Sequence, residues 1–266
     1  MTRIGVVSFT NTLPLAHELE RYGADLEVVR GTPAEVAVGL ETGALDVGLV
    51  PVATLARHPE WQVVPGLGIA ADGEVGSVLL LSEQQLSEID RIVEDPASRT
   101  SNLLARLWLR EQFGRDVTVV PGSPRVAERL AAGPTVAIGD DALFWDRPTA
   151  ARVDLAGAWR GWTGLPFVFA VWAGPQADRP GLAEALAGCH AANRARIPEL
   201  AALAAAGDAL RQAVVERYLT EQICYRLGPR EEKGLHTFLT RCAEAGFLPE
   251  AETSMHVPVV SDVVGA

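Results

Sequence analysis

The feature of this sequence that most constrains its fold is an alternation of strand-like and helix-like segments that stops once and then resumes. In the first part of the chain, apolar strand-like runs and segments with helical spacing follow one another at residues 3–7, 13–22, 26–30, 33–41, 45–51 and 52–57. Strands that alternate with helices in this way predict a parallel sheet covered by helices. The expected fold class is therefore α/β.

The alternation is interrupted by two consecutive strand-like runs, WQVVPGLGIA and GSVLLLS, with a turn-rich link between them. Strands and helices then resume at residues 91–94, 101–113, 117–120, 124–131 and 135–138, and the apolar run LPFVFAVWAG at 165–174 can carry the chain back. We therefore predict two lobes with a ligand cleft between them, lobe I from residues 1–82 plus 172–266 and lobe II from residues 83–171. Helix-forming sequence after residue 179 predicts a helical C-terminal segment of three or four helices on the first lobe.

Composition narrows the choice of partners. The chain has 266 residues, of which 48% are hydrophobic, and a formal net charge of -11. This charge argues against nucleic acid or an anionic membrane as partner, whereas local amides and hydroxyls can still bind a small anion. We find no signal peptide and no membrane-length apolar run, so we expect a cytoplasmic protein. The three cysteines, Cys189, Cys224 and Cys242, are predicted to be buried and reduced.

Small polar residues gather where predicted strands end and helices begin. Ser8 and Asn11 follow the first strand in the stretch SFTN, and Ser77 opens the strand that enters the second lobe. In a parallel sheet, the carboxyl ends of strands and the amino ends of helices meet at the edge where ligands bind. A helix N-cap needs only one such residue, so the surplus indicates a binding site.

The stretch SRTS at residues 98–101 is the clearest candidate for anion binding. Leucines at helical spacing place the start of a helix near Arg99 or Thr100, so that Ser98, Thr100 and Ser101 surround its first turn. Unpaired backbone N–H groups, the positive end of the helix dipole and donating hydroxyls together suit an anion. A role as N-cap would explain only Ser98. We therefore predict that Ser98, Arg99, Thr100 and Ser101 all contact the ligand.

Two further turns complete the set of candidate residues. Gly139 ends a strand and would let a ligand approach the backbone, and Asp140 is either a helix cap or a ligand contact. Thr163 and Gly164 stand at the mouth of the returning strand, beside Trp162, which is either core or cleft lining. The five histidines show no metal spacing, and the chain has no Walker loop, GxGxxG, GxSxG or CxxC motif. We therefore predict no nucleotide, redox cofactor or metal.

Several of these stretches together resemble one family. SFTNTLPL, GSVLLLS, SRTS, IGDDAL and WTGLPFVFAVWA are similar to motifs of the chorismate dehydratases, which act in the futalosine route to menaquinone. The similarity extends to about residue 226, although Thr10 and Thr12 occupy variable positions and the tail after Pro249 has no recognisable pattern. The resemblance implies the fold of type II periplasmic solute-binding proteins, and the cofactor-free conversion of chorismate to 3-(1-carboxyvinyloxy)benzoate, which makes the enzyme a hydro-lyase.

The resemblance also suggests roles for the candidate residues. Asn11 matches the family's site asparagine and is predicted to orient the reacting ring atoms or the leaving hydroxyl. The SRTS hydroxyls, with Ser77 nearby, are predicted to bind a carboxylate and to stabilise charge that grows on the ring carboxylate. The base that removes the ring proton is either Asp140 or the substrate's own enolpyruvyl carboxylate.

Other functions stay open at this point. The chain could be the sister enzyme of the same pathway, 1,4-dihydroxy-6-naphthoate synthase, which has the same fold but resembles this sequence less. It could also be a non-catalytic small-anion-binding protein or the effector-sensing half of a transcription regulator. The oligomeric state, monomer or homodimer, is not predicted.

Overall fold

Two separate mixed sheets organise the computed structural model of the chain, which describes residues 1–23 and 25–249. The strands are β1 Thr2–Val7, β2 Leu26–Gly31, β3 Val47–Pro51, β4 Gln62–Ala71, β5 Val78–Ser82, β6 Arg91–Val93, β7 Thr118–Val120, β8 Thr135–Ile138, β9 Ala151–Asp154, β10 Phe167–Gly174 and β11 Cys224–Arg226. The α-helices are α1 Leu13–Ala16, α2 Pro33–Glu41, α3 Val52–Leu55, α4 Arg99–Phe113, α5 Val126–Ala132, α6 Gly139–Leu143, α7 Leu155–Thr163, α8 Leu182–Arg194, α9 Ile197–Ala205, α10 Ala209–Arg217 and α11 Pro229–Glu244. Short 3-10 turns at Thr10–Thr12, Leu19–Tyr22 and Leu86–Glu88 and a π-helical turn at Tyr218–Gln222 complete the elements.

The first sheet has the strand order β11-β4-β10-β3-β1-β2. Its β2, β1 and β3 are parallel, as the alternating sequence predicts, and Ile4 lies opposite both Val28 and Val47. The strands β10, β4 and β11 extend this sheet in antiparallel pairs. The second sheet has the order β7-β6-β8-β5-β9, in which β6 pairs in parallel with its two neighbours and β5 pairs antiparallel with β8 and β9.

The chain crosses between the sheets twice, through residues 72–77 and again between α7 and β10. The two strand-like runs that interrupt the sequence alternation are therefore β4, in the first sheet, and β5, in the second. The lobe boundaries at 82/83 and 171/172 stay a prediction. By strand pairing, Val78–Ser82 belongs to the second sheet and Phe167–Gly174 to the first, so each crossover precedes the predicted boundary.

The helix predicted at residues 13–22 is wrong as a single element. The helix α1 ends at Ala16, His17 is extended, and Glu18 adopts a left-handed φ of 56° before the next 3-10 turn. The buried side chain of Asn193, on α8, donates its Nδ2–H to the His17 carbonyl at 2.8 Å. A tertiary hydrogen bond thus takes up a carbonyl at the end of α1, where no helical partner is available.

The C-terminal part is helical, as predicted. The helix α8 lies on α1 and β4, whereas α11 contacts β10 of the first sheet and also α4, a helix that packs on β8 of the second sheet. Cys189 and Cys242 are buried in these helices and Cys224 is half-buried in β11; all three thiols are free. The predicted burial is confirmed for Cys189 and Cys242, whereas Cys224 is only partly buried.

A buried ion pair supports the loop that leads into α4. Arg129 is 1% exposed and its Nη2 donates to Asp95 Oδ2 at 2.6 Å and to the Val136 carbonyl at 3.0 Å. The backbone N–H of Asp95 donates to Asn102 Oδ1 on α4, and Asn102 Nδ2 donates to the Asp95 carbonyl. Burial raises the pKa of Asp95, and Arg129 opposes that rise. The pair therefore fixes the segment from which the SRTS stretch begins.

We expect Arg129→Met to lower the free energy of unfolding by about 3–5 kcal/mol, because it leaves Asp95 buried without its cation. The deficit should shrink as the pH falls towards about 4, since the raised folded-state pKa of Asp95 lets the carboxyl group neutralise there. Urea unfolding at several pH values measures both effects. The double variant Arg129→Met, Asp95→Asn, which has no buried charge at this place, should recover part of the loss. A loss below about 1 kcal/mol for the single variant would contradict this interpretation.

Candidate active site

A cleft lies between the two sheets, and its lining comes from both of them. Six of the predicted site residues line it: Asn11, Ser77, Ser98, Thr100, Ser101 and Gly139. Asn11 follows β1 and Ser77 precedes β5, whereas the three SRTS residues belong to the amino end of α4. Residues distant in the sequence thus meet in one cavity, as the predicted strand-end positions require.

The amino end of α4 presents hydroxyl groups whose oxygens are already hydrogen-bonded. Ser98 is the N-cap, and its Oγ accepts the Ser101 N–H at 3.1 Å. Thr100 Oγ1 accepts the Ala53 N–H, at the start of α3, at 3.2 Å. Because a hydroxyl has one proton in addition to its acceptor lone pairs, each of these groups can still donate to a ligand. Ser98 is therefore both the cap and a cleft residue, and the two interpretations are compatible.

A buried tyrosine connects the two other polar residues of the cleft. Tyr218 donates its phenol O–H to Ser77 Oγ at 2.8 Å and accepts the Asn11 Nδ2–H at 3.2 Å. Burial raises the pKa of Tyr218 above that of a free phenol, so the group stays protonated. Tyr225 donates its O–H to the Asn11 backbone carbonyl at 3.0 Å. Sequence reasoning missed both tyrosines, since each lies far along the chain in a segment whose pattern indicates only helix and strand.

The walls between these polar groups are apolar. Phe9, Ile69, Phe169 and Ile223 are among the lining residues, and none of the described residues that line the cleft is charged. Asn11 Oδ1 is buried and has no hydrogen-bond partner among the described residues. The cleft therefore offers neutral donors and one open acceptor in apolar surroundings, which strengthen electrostatic interactions.

Five predicted residues lie outside the cleft lining: Ser8, Arg99, Asp140, Thr163 and Gly164. Ser8 is exposed, and Arg99 is exposed on a separate cavity that Arg57 and Arg106 also line. Thr163 Oγ1 donates to the Trp159 carbonyl and accepts the Leu165 N–H, which completes the end of α7, and Gly164 follows as its C-cap with a left-handed φ of 70°. These positions do not support ligand contact by Ser8, Arg99, Thr163 or Gly164, because Ser8 and Arg99 are exposed outside the cleft, whereas Thr163 and Gly164 complete the end of α7.

Trp162 also lies outside the cleft lining. Its ring is half-buried, and the Arg241 guanidinium stands 4.2 Å from the ring centroid. The tryptophan therefore pairs with α11 rather than forming a platform for a ligand.

Asp140 is not the cap of α6. The helix begins one residue earlier, at Gly139, and its N-cap is Ile138, with no side-chain bond. Asp140 keeps solvent access beside the cleft, although the protein around it raises the pKa of its carboxyl group by burial. Hydrogen bonds from Thr10 oppose that rise. The prediction of a capping role is wrong, because the left-handed conformation of Gly139 lets the helix start directly at the strand end.

Within residues 1–23 and 25–249, no group of three or more His, Cys, Asp or Glu side chains could hold a metal ion. Over the same residues, every helix is too short or too polar to cross a membrane.

Two mixed sheets, two crossovers and a cleft between them define the class of two-lobed solute-binding folds. Solved structures agree with this class. The alkanesulfonate-binding protein SsuA from Xanthomonas axonopodis pv. citri, bound to MOPS, matches with a TM-score of 0.64 and 18% identity, over 94% of each chain. A Candida albicans protein described as having the generic periplasmic binding protein fold matches with a TM-score of 0.63 and 10% identity, over 96% of this chain and 93% of the other. At these identities, the likeness shows the fold alone.

The comparison of sequences goes further. A family model described as menaquinone biosynthesis matches residues 2–244, and the chain belongs to this family. A chorismate dehydratase from Thermus thermophilus is 28% identical over 93% of this chain and 96% of its own length. A chorismate dehydratase from Campylobacter jejuni is 28% identical over 90% of this chain and 96% of its own length.

We expect Gly139→Ala to destabilise the protein by about 1–2 kcal/mol, because an alanine at a φ of +60° is strained. Its Cβ would also approach the Phe9 ring at 3.2 Å and push that ring into the cleft. Urea unfolding measures the stability. The matched control is Gly161→Ala, within α7, where a Cβ meets no atom within 4 Å and the helix should gain about 0.5–1 kcal/mol. Equal effects of the two substitutions would contradict the role of Gly139.

Proposed function

We propose that this protein is a chorismate dehydratase, a hydro-lyase that removes water from chorismate to give 3-(1-carboxyvinyloxy)benzoate. The observation that carries the proposal is the set of pre-oriented hydroxyl donors in the cleft. The family and the two named relatives support the same reaction. The substrate is a small dianion with a non-aromatic ring, and the cleft combines neutral donors with apolar walls.

The hydroxyls bind a carboxylate of the substrate. The oxygens of Ser77, Ser98 and Thr100 each accept a hydrogen bond from the protein, so their protons are free for an acceptor on the ligand. The first-turn N–H groups of α4 add further donors and the positive end of a helix dipole. Together these groups bind an anion without a fixed cation in the cleft.

The reaction requires the loss of the C4 hydroxyl and the proton at C3. The C3 proton is conjugated through a ring double bond to the ring carboxylate, so its removal gives a dienolate, which then expels the C4 oxygen as the ring becomes aromatic. Negative charge grows on the ring carboxylate during the first step. Donors that are already aimed at this carboxylate stabilise the transition state without reorganisation.

The base that removes the C3 proton is the enolpyruvyl carboxylate of the substrate. The described residues that line the cleft include no carboxylate, histidine or lysine, and Asp140 lies outside the lining. The substrate carboxylate takes the C3 proton and returns it to the departing C4 oxygen, which leaves as water. Asn11 and the hydroxyls hold the two reacting parts of the substrate in position.

Two alternative functions would give a different result when the protein is incubated with chorismate. A small-anion-binding protein would use the same donors without chemistry, and 1,4-dihydroxy-6-naphthoate synthase would leave chorismate unchanged. The two named relatives favour chorismate as the substrate.

Incubation of the purified protein with chorismate should produce the ultraviolet spectrum of an aromatic product, with a mass lower by one water. Asn11→Ala should lower kcat by about 100-fold or more, as loss of a polar group at the reacting atoms does elsewhere. Ser8→Ala changes an exposed residue that lies between the lining residues Val7 and Phe9 but does not itself line the cleft, and it should keep kcat within about threefold, as surface substitutions commonly do. Chorismate that stays intact would refute the proposed reaction, and wild-type turnover of Asn11→Ala would refute the proposed site.

Closure of the lobes should accompany binding, because donors attached to the two sheets must reach the same ligand. The closed cleft would also exclude water from the reaction. We expect small-angle scattering to show a smaller radius of gyration at saturating 3-(1-carboxyvinyloxy)benzoate than in the free protein. Unchanged scattering at demonstrated saturation would contradict closure.

A further inference from the structure

We propose that Tyr218 is a positioning residue that fixes the direction of hydrogen bonding at Asn11 and Ser77. This inference rests on the proposed function and extends it to a residue outside the cleft lining. Tyr218 is 1% exposed and lies on the π-helical turn that follows α10. It reaches the cleft only through the two side chains that it contacts.

The direction of each bond follows from the one proton of the phenol. Tyr218 donates that proton to Ser77 Oγ, so its oxygen can only accept from Asn11. The Asn11 amide must then turn its NH₂ group to Tyr218, and its Oδ1 away from it. Ser77, whose oxygen accepts, has its own proton free. One phenol therefore sets an acceptor at Asn11 and a donor at Ser77.

The open acceptor at Asn11 selects a particular group of the ligand. Asn11 Oδ1 is buried and lacks a partner among the described residues, and a buried carbonyl oxygen without a donor is costly. It would repel a carboxylate and attract a hydroxyl. The C4 hydroxyl is the one O–H donor of chorismate when both carboxylates are ionised.

This pairing places the leaving group for the reaction. When the C4 hydroxyl donates to Asn11 Oδ1, a lone pair of its oxygen can face the enolpyruvyl carboxyl group, which carries the proton taken from C3. The C4–O bond breaks as that proton arrives, and water leaves. With the Asn11 amide reversed, two N–H donors would face the hydroxyl and compete for the same lone pairs.

The decisive comparison is between Tyr218→Phe and Tyr225→Phe. Both tyrosines are buried, and both contact Asn11, but Tyr225 bonds the backbone carbonyl and leaves the side-chain amide untouched. We expect Tyr218→Phe to lower kcat by about 10- to 100-fold, with little change in KM, because supporting hydrogen bonds commonly act on this scale. Tyr225→Phe, which loses a single neutral hydrogen bond, should lower kcat by no more than about fivefold.

Two measurements separate positioning from damage to the fold. Calorimetric titration with 3-(1-carboxyvinyloxy)benzoate, which keeps both carboxylates but has no C4 hydroxyl, should show a loss of affinity for Tyr218→Phe that is smaller than its loss of kcat, because Ser77 can still donate to a carboxylate whereas the pairing of Asn11 with the C4 hydroxyl is not tested by this ligand. In NMR spectra, the Asn11 side-chain NH₂ signal, assigned with Asn11→Asp, should shift in Tyr218→Phe and stay in place in Tyr225→Phe. Equal kcat losses in the two variants, an unmoved NH₂ signal or a loss of product affinity as large as the loss of kcat would each overturn the positioning role.

The same data distinguish this inference from the proposed function. If the wild-type protein fails to dehydrate chorismate, the proposed reaction is wrong, whereas the NH₂ signal still reports whether Tyr218 orients Asn11. If the wild-type protein is active and Tyr218→Phe has the wild-type kcat, the reaction stands and the positioning role fails.

Discussion

The hydrogen bond from Tyr218 to Ser77 joins the C-terminal helical segment to the crossover between the two sheets, and the cleft depends on that junction. Ser77 lies at the end of the link from β4 to β5, where the chain leaves the first sheet. Through the same phenol, the segment also reaches Asn11, which follows β1. Without this contact, Asn11 after β1 and Ser77 on the crossover would share no hydrogen-bond partner that orients both side chains.

The absence of charge among the described cleft residues has a chemical reason. A fixed arginine or lysine would stabilise the carboxylates of the bound substrate and of the transition state about equally, and such uniform binding does not accelerate the chemical step. Neutral donors in apolar surroundings gain most where charge grows, which is at the ring carboxylate in the transition state. The chain has a net charge of -11, so local geometry rather than overall electrostatics must draw the dianion into the cleft.

Much of the fold and part of the site could be predicted from the sequence, because both depend on local patterns. The strand and helix periods place Asn11, Ser77 and the SRTS stretch at element ends, and the structure brings these ends together. The direction of each side chain was harder to predict. Arg99 and Thr100 are neighbours in the first turn of α4, yet a rotation of about 100° per residue sends Arg99 to the other side of the helix.

The tyrosines could not be predicted from the sequence, because their roles are purely tertiary. Tyr218 follows Asn11 by 207 positions, and no local pattern marks it as different from other buried aromatic residues. The break after α1 has a similar origin, since Asn193 on α8 takes the His17 carbonyl. In both cases, long-range hydrogen bonds decide what the local sequence leaves open.

A crystal structure with bound 3-(1-carboxyvinyloxy)benzoate would show which groups hold the two carboxylates. We expect one carboxylate within hydrogen-bond distance of the Ser98 and Thr100 hydroxyls, and the ring between the apolar walls beside Asn11 and Ser77. A product molecule held by the arginines of the neighbouring cavity, Arg57, Arg99 and Arg106, with the cleft hydroxyls making no contact, would contradict it.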